Sequence, residues 1–149
     1  MSKKIPRPEG HHIVVPAAVV PATAKVISFL ERAFGGKVVD RYDGPDGAVY
    51  HAEVMLGDSV VMLGEPQPDH PAMPATLSYY VDDAVAVEAT YRRALDAGAT
   101  SITEPSTQPW GYRSACIADP GGNRWTICAI VEQVSHDEIM RRMQDMPKS

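Results

Sequence analysis

The sequence predicts an α+β fold built from two β-α-β-β-β modules, and two features carry that expectation. Strand, helix and turn signals occur twice in the same order, with 23 residues between the helix stop Gly35 and Asp58 of the following hairpin, and 21 between Gly98 and Asp119. A proline-rich stretch holding Pro66, Pro68, Pro71 and Pro74 separates the two runs. A chain of 149 residues can bury one good core but hardly two independent ones, so the modules are expected to share it.

In the first run, His12 to Val20 reads as an apolar strand interrupted by Pro16, which suits an edge or a bulge. Pro21-Ala22-Thr23 opens a helix in which Val26, Ile27, Leu30, Ala33 and Phe34 recur at helical spacing, and Gly35-Gly36 ends it. Lys37 to Tyr42, Val49 to Leu56 and Ser59 to Leu63 read as strands, with tight turns at Asp43 to Gly47 and at Gly57-Asp58.

In the second run, Thr76 to Val81 is a strand and Asp82 or Asp83 caps a helix that runs to Gly98. Thr100 to Thr103, Tyr112 to Ala118 and Asn123 to Val131 are strands, the last two joined by an Asp119-Pro120-Gly121-Gly122 turn. Ser135 and Glu138 mark a capping box for a final helix whose stripe of Ile139, Met140 and Met143 is expected to pack on the body or on a second subunit. The resulting organisation is a tail at 1–10, a domain at 11–132 with modules 11–65 and 75–132 around a linker at 66–74, and a C-terminal helix and tail at 133–149.

A net charge of −5 and the lack of a Lys/Arg cluster argue against a nucleic-acid partner. No apolar run approaches the length of a bilayer span, and Lys3, Lys4 and Arg7 are not followed by the apolar stretch of a secretion signal, so a cytoplasmic location is expected. Cys116 and Cys128 lack metal-type spacing and read as reduced core thiols.

Several segments carry a resemblance: Pro8-Glu9-Gly10-His11-His12, His51-Ala52-Glu53-Val54, Gly57 to Leu63, Trp110-Gly111-Tyr112-Arg113, Asp119 to Trp125, and Val134 to Glu138 with Arg141-Arg142-Met143. In that order they resemble the vicinal oxygen chelate superfamily, of glyoxalase, bleomycin-resistance and dioxygenase type, and within it the phosphonate-operon-B-like branch. The resemblance implies two modules whose mixed sheets curl into a cup. Many members hold a divalent metal there through four strand positions carrying His, Glu or Gln. Those positions fall near Val15, near Met62, at Thr76 and at Thr126, none of them a His or carboxylate, so the expectation is a cup without a metal cofactor.

Period-2 alternation then turns Thr76, Ser78 and Tyr80, together with Arg124, Thr126 and Cys128, toward the cup, beside Met62. Trp110, Tyr112 and Arg113 are candidates for a rim that stacks on and hydrogen-bonds a planar or anionic ligand. The competing reading has Trp110 cap the sheet end while Arg113 pairs with a neighbouring acid. His51 and Glu53 share a strand face and are the candidates for an acid/base pair or a polar grip, against a plain cross-paired sheet face. A displaced divalent-metal site from His51, Glu53, Glu65 and His11 or His12 is the alternative cofactor reading.

The function expected first is metal-free binding of a small organic molecule, a drug or metabolite, as in antibiotic resistance by sequestration, in a homodimer. The second is a lyase, isomerase or dioxygenase, with displaced metal ligands or His51 and Glu53 as its acid/base pair. The third is a protein-binding module docking through the C-terminal helix.

Overall fold

The computed structural model describes residues 4–147; residues 1–3 of the expected N-terminal tail and 148–149 of the C-terminal one lie outside them. Its elements run β1 (Ala17–Val19), α1 (Thr23–Phe34), β2 (Lys37–Asp43), β3 (Val49–Leu56), β4 (Ser59–Gly64), β5 (Thr76–Tyr80), α2 (Ala84–Asp96), β6 (Thr100–Thr107), β7 (Tyr112–Ala118), β8 (Arg124–Ile130) and α3 (His136–Gln144). Two four-stranded mixed sheets result, ordered β1-β4-β3-β2 and β5-β8-β7-β6, each with one parallel pair, β1 with β4 and β5 with β8. This is the vicinal oxygen chelate architecture of two β-α-β-β-β modules followed by a helix.

Two elements differ from the sequence expectation. The first strand is only Ala17–Val19: the Pro16 carbonyl still accepts the Met62 N–H, but Pro16 offers no N–H of its own and residues 11–15 lie outside the ladder. The sixth strand runs past Thr103 to Thr107, through register shifts on either side of Thr103. It is an edge strand, so Pro105 removes no ladder bond that a neighbour needs.

One core joins the modules. The helices pack on each other, and Phe34 at the end of α1 stacks on Tyr79 of β5, with centroids 4.4 Å apart, and meets the Trp125 ring of β8 at 5.0 Å. Asp83 caps α2 by accepting the Ala86 N–H at 2.8 Å. The β7–β8 turn lies against α1: a Cβ at Gly121 would come within 2.6 Å of Val26 and 2.9 Å of Val20, so only glycine lets module 2 approach so closely. Asp119 knots this turn. Its buried carboxylate accepts the N–H groups of Gly121 and Asn123 on one oxygen, and Asn123 Nδ2 and Trp125 Nε1 on the other, all at 2.9–3.0 Å.

In α3, Ser135 accepts the Glu138 N–H, forming half of the expected capping box, but the Glu138 carboxylate turns instead to Arg141 and Arg142. No residue of α3 is buried, and Met140 and Met143 are exposed. The helix is tied down by Arg142, which donates to Glu132 and to the Pro109 carbonyl. Among the described residues, no helix is long and apolar enough to cross a membrane.

Candidate functional site

With helices filling one side of each sheet, the opposite faces are concave and open. On sheet 2 the register sets side chains in rows across β5, β8, β7 and β6. Ser78, Thr126, Cys116 and Thr103 form one row; Tyr80, Cys128, Ser114 and Ser106 form the next. Thr76 pairs with Arg124 on the near side, and Tyr112 with Ile130 on the far side. Leu77, Tyr79, Trp125 and Ile127 point the other way into the core. This face therefore brings Thr76, Ser78, Tyr80, Tyr112, Thr126 and Cys128 together.

Tyr80 and Tyr112 close the far end. Their hydroxyls lie 3.4 Å apart and their rings meet edge to face at 6.0 Å. The hydrogen bond to Tyr112, with some burial, pushes the Tyr80 hydroxyl up to about 12. Arg113, next to Tyr112 on the same strand, points to the helix side and donates to Glu88 of α2 at 2.9 Å. It is not part of the concave face, because neighbouring strand residues cannot share one. Trp110 lies in the turn before β7, partly exposed, in a segment held by Gly111, whose carbonyl accepts the N–H groups of Val131 and Glu132.

On sheet 1 the corresponding row is Ala17, Met62, Glu53 and Asp40, with His51 opposite Tyr42 one step along. A cleft of about 310 Å³ opens here, lined by Ala17, Val19, Met62, His51, Gln67 and His70 among others. His11, from the segment before β1, reaches over this face and hydrogen-bonds Glu53 Oε1 through Nε2 at 2.7 Å, while His51 Nε2 is 3.8 Å from the same oxygen. The contact with Glu53 holds the His11 imidazole above its ordinary 6.5. His11 lies 42 positions from Glu53, and nothing local in the sequence announces the pair. A second cleft, of about 320 Å³, runs between the β3–β4 turn and β5 and takes in Ser78 and Tyr80.

The family model for the glyoxalase/bleomycin resistance protein/dioxygenase superfamily matches residues 11–127. The chain belongs to that superfamily. Uncharacterized proteins of Mycobacterium bovis and Mycobacterium tuberculosis are 35% identical to it over 142 residues, covering 86% of this chain and 90% and 80% of theirs. Among solved structures of the superfamily's fold, TioX from Micromonospora is 20% identical with TM-score 0.62, covering 83% of this chain and 100% of that one. Lactoylglutathione lyase from Agrobacterium tumefaciens is 22% identical with TM-score 0.63, covering 79% and 92%. TnmS3, an antibiotic binding protein from Streptomyces, is 24% identical with TM-score 0.62, covering 80% and 95%.

The superfamily's divalent metal can be tested against the donors present. The parallel pairs place Ala17 beside Met62 and Ser78 beside Thr126, each two residues along from Val15 and Thr76. All six side chains are aliphatic, thioether or hydroxyl, a set that does not fit a cation needing imidazole or carboxylate ligands. Of the alternative donors, Glu65 borders the same cleft but is spent in capping α1, where it accepts the Thr23 N–H. Glu53 is engaged by His11. Among the described residues, no group of three or more His, Cys, Asp or Glu side chains is placed to hold a metal ion.

Proposed function

We propose that the protein binds a small, partly aromatic organic molecule against the concave faces of its sheets, without a metal, and in doing so sequesters a drug or metabolite. The observation that carries this reading is the composition of the sheet 2 face: rows of hydroxyls and thiols ending in the Tyr80–Tyr112 pair, which offers two aromatic surfaces and two hydroxyls to one ligand. The antibiotic-binding function of TnmS3, carried on the same fold, supports it. The motif order supports placing the chain in the phosphonate-operon-B-like branch.

A homodimer belongs to this reading, since Tyr42, Tyr80 and Ile130 are exposed in the single chain and a second copy facing the sheets would close the cups. A cytoplasmic location goes with it. The second reading, an acid/base catalyst, is favoured by one observation: His51 borders the 310 Å³ cleft with Glu53 behind it.

Calorimetric titration with 8-anilinonaphthalene-1-sulfonate and with bleomycin, after EDTA and again after adding nickel, cobalt, manganese or zinc, tests the proposal. One saturable site per chain is expected, indifferent to metal and weakened roughly tenfold by Tyr80→Ala or Tyr112→Ala. Binding that requires metal, or that is lost in His51→Ala and unchanged in both tyrosine variants, overturns it.

A further inference from the structure

The second cleft, of about 320 Å³, lies at the seam between the modules, and four consecutive residues of β5, Leu77 to Tyr80, line it. Side chains alternate across a strand, so an unbroken run of residues borders a cleft along the strand's edge and not on one face. That edge is free, because β5 pairs with β8 alone at the margin of sheet 2. The parity of the ladder fixes which groups it exposes. Ala75 accepts the Arg124 N–H at one end and Val81 donates to the Cys128 carbonyl at the other, so Ala75, Leu77, Tyr79 and Val81 turn their backbone groups to β8. Thr76, Ser78 and Tyr80 turn theirs outward. Ser78 thus presents an N–H beside a C=O to the cleft, and no other hydrogen bond among the described residues takes up either group.

The rest of the cleft says what would pair there. Leu56, Val61 and Trp125, all buried in the shared core, form an apolar floor with the half-buried Leu77. Pro16 and the Gly57-Asp58-Ser59 turn bound the opposite side, so a gap of this volume leaves no room for a partner strand along the edge and takes a flat molecule of one or two rings. A free donor and acceptor beside an apolar floor favour a ligand that is apolar on its faces and hydrogen-bonding at its rim. Asp58 is exposed at this cleft, accepts the Ser59 Oγ–H at 3.0 Å and makes no ion pair among the described residues. Its carboxylate, on a chain of net charge −5, repels an anion.

We propose that this seam is a second binding site, for uncharged planar heterocycles that carry a ring-nitrogen acceptor next to an amino donor, as nucleobases do. The ring nitrogen accepts the Ser78 N–H, the amino group donates to the Ser78 carbonyl, and the ring lies on the floor of Leu56, Val61 and Trp125. Asp58 turns phosphorylated forms away. The site is independent of the ligand proposed for the concave faces and shares with them only strand β5.

The test titrates 9-methyladenine, 9-methylpurine, adenosine and adenosine 5′-monophosphate into the isotope-labelled full-length protein and follows its backbone amide resonances. One saturable site is expected for 9-methyladenine, with the largest downfield shift at the Ser78 amide. The purine, which keeps the ring and loses the amino donor, should bind roughly three- to tenfold more weakly, and the monophosphate more weakly than adenosine. Ser78→Pro removes only a donor that β8 does not use, and should weaken 9-methyladenine roughly tenfold with circular dichroism unchanged, whereas Ser78→Ala and Tyr112→Ala should leave its binding as in the parent. Equal affinity for the two 9-methyl compounds, a monophosphate that binds as tightly as adenosine, equal losses in Ser78→Ala and Ser78→Pro, or the absence of a saturable shift up to the solubility limit overturns the proposal; the ligand series decides even if Ser78→Pro fails to fold. Binding of 9-methyladenine that is lost in Tyr112→Ala also overturns it, by placing that ligand on the concave face. Binding of 9-methyladenine without saturable binding of 8-anilinonaphthalene-1-sulfonate would sink the concave-face reading alone.

Discussion

Asp119→Asn should be among the most damaging isosteric changes in this chain. The Asp119 carboxylate is buried, and each oxygen accepts two hydrogen bonds: backbone N–H groups of Gly121 and Asn123 on Oδ1, Asn123 Nδ2 and Trp125 Nε1 on Oδ2. An amide of the same shape replaces one acceptor oxygen by NH₂. Whichever way it turns, two donors then face a donor, in a turn where Asn123 is fully buried and Trp125 nearly so. A buried donor left without a partner costs about 1–3 kcal/mol. Two of them, eased by small shifts of the turn, should cost about 3 kcal/mol, a large part of a domain's stability of about 5–15 kcal/mol.

The consequence should spread beyond the turn, because Asn123 Oδ1 also accepts the Ala75 N–H at the start of β5. Urea unfolding followed by far-ultraviolet circular dichroism and tryptophan fluorescence measures the effect. With a slope of about 2 kcal/mol per molar, the midpoint should fall by about 1.5 M. A midpoint within about 0.3 M of the parent would show that the donors find other partners and would refute the reasoning.

Three further outcomes follow from the geometry. His11 has its folded pKa raised above 6.5 by Glu53, so the stabilisation it brings to the N-terminal segment is complete below that value and is lost as pH rises through the folded pKa. Limited proteolysis ahead of β1 should accelerate between pH 6 and 8 in the parent and be pH-independent in His11→Gln; equal profiles would show that the contact does not hold the segment. Tyr80, raised to about 12, should be the late-titrating member of the six tyrosines in ultraviolet titration, and Tyr112→Phe should bring it back toward 10. Because that pKa is raised, the Tyr80 contribution to stability is intact below pH 10 and is lost from there to about pH 12. Gly111→Ala places a Cβ against the Glu132 carbonyl at φ +92°, and should cost about 2 kcal/mol in urea unfolding through backbone strain and a forced shift of the β8 end; a loss below about 0.5 kcal/mol would mean the loop relaxes freely.

Whatever depends on local pattern was legible in the sequence. Turns at Gly57-Asp58 and at Asp119 to Gly122, the Asp83 cap and the alternation of β5 and β8 all follow from residue type and period, and they place Thr76, Ser78, Tyr80 and Thr126 on one face. Two site errors were avoidable by the same rule. Tyr112 and Arg113 are consecutive in a strand, so they cannot line one patch. Cys116 lies between the core residues Ala115 and Ile117, so it cannot share their face. Other features had no local signal. The His11–Glu53 pair depends on a segment that folds back across 42 positions. The extension of β6 past Pro105 depends on its being an edge, which is a property of the sheet and not of the residues.

These differences bear on how one fold serves unlike chemistries. The paired strands β1–β4 and β5–β8 repeat the same parallel register in both modules, so each concave face presents equivalent positions whatever residues fill them. Here Ala17 and Met62 in one module and Ser78 and Thr126 in the other leave those positions without charge. Charge enters beside them instead: Glu53 across from Met62, answered by His11, and Arg124 next to Thr126, answered by the Cys116 sulfur. The two faces therefore differ in what they can do. The first neutralises its carboxylate internally and depends on pH through His11, whereas on the second the guanidinium meets a sulfur and, among the described residues, no carboxylate.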